Sequence, residues 1–332
     1  MSLYPLRFEP IFQYRLWGGR KLERYSREPL GVEGPVGEAW ILSDRDDFAS
    51  KVAEGELKGK TLRELLHESG EAMLGAAAGQ YDKYPLLLKF LDAKEVLSVQ
   101  VHPSDAHKEL LPKGERGKTE SWLVLESEED SKIFLGLNEG VTPEEIREKS
   151  KDGTVAEDLA SFHPRVGDGA FIRAGTVHAL GDGVLVFECQ QNSDVTFRLF
   201  DWNRVDEKTG KPRELHIDKA VACIDFSEGP VGPVTPQVLG TQRVLREGMF
   251  ACEFFTVERL TGEEPFSVGV DGEMRVLVCL EGAGSMQLGE ALYDVRQGDV
   301  YVLPAEVGGL EFKPEGKASL AQVAVPKGEN EG

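Results

Sequence analysis

Apolar residues in this chain fall in short runs rich in β-branched and aromatic side chains, divided by Gly, Pro and Asp. Examples are "PLLLKFLD", "SWLVLE", "KIFLGL", "GAFIRA", "GVLVFECQQ" and "VTFRLFD", then "FACEFFTVERL", "MRVLVCLEG" and "VYVLPA". That spacing predicts an antiparallel sandwich or barrel. Two segments break it with apolar residues three and four apart, each behind a threonine followed by acids: "TLRELLHESGEAMLGAAAG" from Thr61 and "TPEEIREKSKDGTVAEDLASF" from Thr142. These predict helices whose starts are set by the threonines.

One β unit occurs twice. "GDGAFIRAGTVH" from Gly167 overlies "GDVYVLPAEVGG" from Gly298, matching a Gly-Asp turn, an alternating strand and a small residue after it. In this register His178 falls opposite Gly309, so only the first copy offers a histidine there. "SEGPVGPVTP", Ser227 to Pro236, is the expected linker, and the tail "KGENEG" is expected to fray.

The run "LSVQVHP" raises a directional question. Side chains alternate along a strand, so Leu97, Val99 and Val101 are expected on one face, with Ser98, Gln100 and His102 on the other. If the polar face is solvated, the strand is ordinary; if it points inward, it is a row of ligands.

At 332 residues, with 40% hydrophobic and 29% charged, the chain has room for two domains and is not disordered in composition. Its formal net charge of −20 repels nucleic acid and anionic membrane, so an anionic substrate needs a local cationic pocket. Cys189, Cys223, Cys252 and Cys279 are far apart, which fits a reducing cytoplasm better than a disulfide framework. No signal sequence or apolar run near the ~20 residues of a membrane span is expected. Nothing in the sequence specifies an oligomeric state.

Three residues stand in contexts that look inward: His102, His178 after "IRAGT", and Glu120 at the start of an apolar run, with Lys118 on its face. With the Gln100 amide they make an N/O set suited to zinc; two His and a carboxylate also suit non-haem iron. Arg198 shares a face with Thr196 and is a candidate for stabilising a phosphate or an enediolate. On residue types alone, Glu120 could simply pair with Lys118, and Arg198 with Asp194 or Asp201. His107 is expected in an exposed turn, and His67, His163 and His216 in structural roles.

Seven segments in order resemble the short bacterial form of the type I mannose-6-phosphate isomerases. They are Trp17-Gly18-Gly19, "GEAWILSD", "PLLLKFLDA", "LSVQVHPSD", "GKTESW", "IRAGTVHALGDG" and "QQNSDVTFRLFDWNR", spanning most of residues 1 to 225. The large helical insertion of the longer enzymes is absent. The resemblance implies a mainly β protein of two cupin (jelly-roll-like) barrels with short helical insertions. It implies a catalytic metal-binding domain over 1–226, a linker over 227–236, and a degenerate second cupin over 237–327 without metal ligands.

It further implies one zinc ion on Gln100, His102, Glu120 and His178, and interconversion of mannose 6-phosphate and fructose 6-phosphate through a cis-enediol. Lys118 and Arg198 are the expected catalytic residues. Lys89 is expected on the phosphate, and Ser98 lining the substrate side. Lys118, metal-bound water and Asp194 are alternative proton carriers. Competing readings are an iron-dependent cupin oxygenase and a non-catalytic sugar-phosphate-binding cupin.

Overall fold

The computed structural model describes residues 2–326; the tail from Lys327 lies outside them. Two pairs of antiparallel sheets account for most of the chain. In the first pair, a six-stranded sheet runs in the order Gly169–Ile172, Glu120–Glu126, Val184–Gln191, Leu86–Ala93, Ile11–Gly19, Val36–Leu42. It faces a five-stranded sheet ordered Leu159–Phe162, Ile133–Leu137, His178–Leu180, Val99–Val101, Phe197–Phe200. From Leu86 onward the chain passes repeatedly between these sheets, as in a jelly roll. The pair stays open at its sides, as a sandwich, rather than closing into a barrel. Its interior is a core that includes Trp122, Val124, Leu135, Ile172 and Val186.

The second pair is a seven-stranded sheet, which includes Arg275–Glu281, Val300–Leu303 and Ala318–Ala324, over a four-stranded one. The strand Leu6–Arg7 belongs to this seven-stranded sheet, where Leu6 pairs with Val302. Between the two sandwiches, Leu88, Phe90 and Phe187 pack with Phe250, Val276 and Val302 in one core. The strand "LLLKFLDA" is therefore apolar on both faces because both are covered, and its lone lysine stands out.

The duplicated turn is the same in both copies. Gly167 (φ 93°) donates to Val124 O at 2.8 Å, the Asp168 carboxylate accepts from Arg165 N at 2.8 Å, and Val124 N donates to Asp168 O at 2.9 Å. Gly298 (φ 88°) donates to Cys279 O at 2.8 Å, Asp299 accepts from Arg296 N at 2.7 Å, and Cys279 N donates to Asp299 O at 3.0 Å. A positive φ at both positions is why glycine stands there.

Both helices start where the threonines put them. Thr61 and Thr142 form capping boxes with Glu64 and Glu145, opening Leu62–Leu74 and Pro143–Asp152. Both end sooner than the apolar periodicity suggested. Gly75 caps the first; Gly153, in the left-handed region at φ 81°, ends the second, and its distal part becomes the strand Leu159–Phe162. The expected linker runs along the first sandwich, with Val231 N on Leu135 O at 3.2 Å and Val234 N on Gly169 O at 2.8 Å.

Candidate active site

Strand Val99–Val101 lies between two partners, and Gln100 is in register with both His178 and Arg198. The three side chains thus form a row across one face of the five-stranded sheet. Its other face, carrying Val99 and Val101, is covered by the helices Pro143–Asp152 and Ile217–Cys223. Leu97 departs from the expected alternation. It precedes the strand and packs in the sandwich interior, beside the cavity that Ser98 and Gln100 also line.

The six-stranded sheet supplies the opposing groups. Glu120 opens its strand, with Lys118 just before it, while Glu188 is in register with both Lys89 and Trp122.

His102, Glu120 and His178 are buried and converge, their ligand-type atoms all within 4.8 Å of one another. Nδ1 of His102 donates to Val195 O (2.8 Å) and Nδ1 of His178 to Thr176 O (2.9 Å), which leaves both Nε2 lone pairs facing the cluster. Each Nε2 is 3.4 Å from a Glu120 oxygen. Burial, then the nearby Lys118, lowers the His102 pKa to about 3, so its imidazole is neutral. Burial alone would raise Glu120, but Lys118 and His102 hold it well below the usual carboxylate range.

Lys118 Nζ sits 2.5 Å from Glu120 Oε2 and 3.1 Å from His102 Nε2, yet neither Glu120 oxygen accepts a hydrogen bond. A buried carboxylate that accepts no hydrogen bond and has only the Lys118 charge against it, beside two imidazole nitrogens whose lone pairs face it, fits a divalent cation. The Gln100 amide completes the ring of donors: its Nε2 is 3.2 Å from His178 Nε2, and its Oε1 accepts from Ser98 Oγ at 3.1 Å. Turning this amide over presents its oxygen to the cluster.

Beside the cluster lies a cavity of ≈ 370 Å³. Its lining includes Ser98, Gln100, Lys118 and Arg198, together with Lys89, Trp17, Asp194 and Thr196. Lys89 is buried between Glu188 (3.1 Å) and Glu38 (3.9 Å) and lies 5.4 Å from the Trp40 ring. Burial opposes its charge, but Glu188 and Glu38 raise its pKa.

Arg198 pairs with neither Asp194 nor Asp201. Its Nε donates to Ser98 Oγ (3.2 Å) and one terminal nitrogen to Glu214 O (2.9 Å), while Asp201 is held by Arg204 and Arg213. His107 caps its own turn, with Nδ1 near Ser104 N (3.2 Å), and is half-buried rather than exposed.

Glu38, Glu188, Arg15 and Arg213 also line this cavity, and sequence reasoning passed over them. The two acids had a legible signal, each being a lone carboxylate inside an apolar run, "VGEAWIL" and "VLVFECQQ". Arg213 sits in a stretch outside any strand and had none.

The family model for the type I phosphomannose isomerase catalytic domain matches residues 6–127, and the mannose-6-phosphate isomerase cupin-domain model matches 247–325. The mannose-6-phosphate isomerase ManA of Bacillus subtilis is 36% identical over 318 residues, which is 96% of this chain and 98% of that protein. The chain belongs to the type I mannose-6-phosphate isomerase family. Another member, from Streptococcus mutans, is 32% identical over 93% of this chain and 95% of its own. The crystal structure of the Bacillus subtilis mannose 6-phosphate isomerase superposes with a TM-score of 0.88 at 30% identity, covering 98% of this chain and 100% of that one. A mannosephosphate isomerase structure from Archaeoglobus fulgidus, at 24% identity and TM-score 0.79, shares the fold. Among the described residues, no helix is long and apolar enough to cross a membrane.

Proposed function

We propose that this member of the family interconverts D-mannose 6-phosphate and D-fructose 6-phosphate with one zinc ion on Gln100, His102, Glu120 and His178. The observation that carries the reading is the convergence of the buried Glu120 carboxylate, which accepts no hydrogen bond, with the Nε2 lone pairs of His102 and His178 beside a cation-lined cavity. A zinc ion bound there supplies Lewis acidity toward the carbonyl and hydroxyl oxygens at C1 and C2.

The protein groups do the rest. Arg198, without a carboxylate partner, stabilises the negative charge that develops as the C2 proton leaves. Lys118, between His102 and Glu120, holds a proton at the reacting edge. Ser98 and Lys89 hold the sugar, because the Lys89 charge is already balanced by Glu188 and suits hydroxyl groups. Asp194 is exposed at the cavity wall, which leaves Lys118 as the better-positioned proton carrier.

An iron-dependent oxygenase needs open positions on its metal, and Gln100 stands where one would be. Replacing His102 with Ala should remove both zinc, measured in the purified protein, and turnover. Full activity in a zinc-free His102→Ala protein would overturn the assignment. Tight sugar-phosphate binding by the wild type without isomerisation would favour a binding protein instead.

A further inference from the structure

The cationic side chains of the cavity differ in how much charge they have to offer. Arg15 is held two-pronged by Glu38, at 2.9 and 3.0 Å. Lys89 has Glu188 at 3.1 Å, and Lys118 has Glu120 at 2.5 Å. These three meet carboxylates one for one. At the other end the balance fails, because Arg198, Arg204 and Arg213 surround a single buried carboxylate, Asp201. Arg213 reaches Asp201 Oδ2 through Nε (2.8 Å) and Oδ1 through Nη2 (2.5 Å), and Arg204 shares Oδ1 at 2.5 Å.

The other carboxylates nearby do not close the gap. Glu95 lies 3.8 Å from Arg204 on the exposed side, and the exposed Glu214 carboxylate is 3.8 Å from His216. Arg198 hydrogen-bonds only neutral oxygens. Burial, then repulsion from Arg213, lowers the Arg198 pKa to about 10, as expected where like charges lack a counterion. The Arg213 Nη1 atom makes no hydrogen bond among the described residues, and Arg213 lines the cavity.

We propose that Arg213 is the anchor for the 6-phosphate of the substrate and thereby determines the preference for a phosphorylated sugar, an inference that rests on the isomerase reading above. The order of groups sets the direction of binding. Gln100 belongs to the cluster, Arg198 is its neighbour across the strands, and Arg213, on Asp201, shares the cavity lining and is charge-coupled to Arg198. The aldose or ketose end then meets the cluster and the phosphate dianion meets the uncompensated guanidinium. Arginine suits this task because its planar fork can hold Asp201 on one edge and phosphate oxygens on the remaining nitrogen.

The test uses the full-length, zinc-loaded enzyme and its Arg213→Ala and Arg213→Lys variants. In Arg213→Ala, KM for mannose 6-phosphate should rise about 30-fold or more while kcat changes far less. Inhibition by inorganic phosphate should weaken by a similar factor. Binding of unphosphorylated mannose and zinc content should stay at wild-type values, while Tm falls because Asp201 loses one of its two arginine partners. Arg213→Lys, which keeps the charge near Asp201, should fall between the two and guards against a folding defect in the alanine variant.

Unchanged KM and unchanged phosphate inhibition in Arg213→Ala would overturn the inference while leaving the isomerase reading intact. A rise in KM accompanied by equal losses of mannose binding or zinc, in Arg213→Lys as in Arg213→Ala, would overturn it too, by making Arg213 merely structural. Absence of isomerisation in the wild type would instead defeat the underlying reading.

Discussion

Glu120 is the residue on which the site turns. Its carboxylate is buried with neither oxygen hydrogen-bonded, a state that Lys118 alone does not resolve. Glu120→Gln keeps the shape and removes the charge. Its zinc content after purification should fall well below one per chain, and turnover should drop by more than the roughly 10–100-fold that loss of a ligand's partner costs. Wild-type zinc and turnover in this variant would remove Glu120 from the ligand set.

Glu38 offers a pH test away from the cluster. Burial would raise its pKa, but Arg15, Lys89 and the Trp40 N–H bring it down to about 2 from 4.5. A carboxyl with a depressed folded pKa contributes stability that is complete above 4.5 and is lost as the pH falls toward 2. The contribution is about 3 kcal/mol. In metal-free protein, the stability difference between wild type and Glu38→Gln, measured by urea unfolding, should therefore shrink across that window. A pH-independent difference would contradict the pairing.

The cluster of His102, Glu120 and His178 was legible at this scale because His and Glu in apolar strands are conspicuous. The charge balance was not, since it depends on which acids of distant strands meet each cation. Lys89 shows this: its ion pair with Glu188 follows from the register of two strands about a hundred residues apart, which neither strand signals alone.

At the scale of elements, glycines and caps decide where the site's walls stand. The register of Ile11–Gly19 against Val36–Leu42 is irregular at Tyr14 and again before Gly19. Arg15 and Trp17, from this irregular stretch, line the cavity. A Cβ on Gly18 would lie 2.3 Å from Gly37 N, and one on Gly37 would lie 2.6 Å from the Arg15 Cβ. Gly18→Ala should therefore cost about 1–3 kcal/mol and raise KM, checked by thermal unfolding and initial rates.

Thr142→Ala removes a capping box remote from the cavity. It should cost about 1 kcal/mol with KM unchanged. The helix starts were legible because Thr and Glu three residues apart make a local signal. The ends were overestimated because apolar periodicity continued past Gly153 into a strand that tertiary pairing, not propensity, selects.

For the whole molecule, duplication explains both the architecture and its asymmetry. Ile172 pairs with Glu120 in the first copy, and Leu303 with Arg275 in the second, so Arg275 holds the place of the carboxylate. It is ion-paired to Glu273 at 2.6 Å, and Gly309 holds the place of His178 in the repeat register. The second sandwich thus carries a self-neutralised pair where the first carries the carboxylate of the buried His102–Glu120–His178 cluster.

The sandwiches share one core, and the strand Leu6–Arg7 crosses from the first to the second. The repeated turn was legible in the sequence, but this exchanged strand was not, since two residues carry too little pattern. The metal-free protein should accordingly unfold in a single calorimetric transition; two resolved transitions would contradict a shared core.

The central claim is a metal-dependent aldose to ketose isomerisation at His102, Glu120 and His178. The most direct measurement is a coupled assay of fructose 6-phosphate formation from mannose 6-phosphate, on enzyme as purified, after exhaustive chelation, and after zinc is returned. Turnover should vanish on chelation and recover with about one zinc per chain, as expected for a single site with two His and one carboxylate. Turnover that persists undiminished in fully chelated enzyme would contradict it.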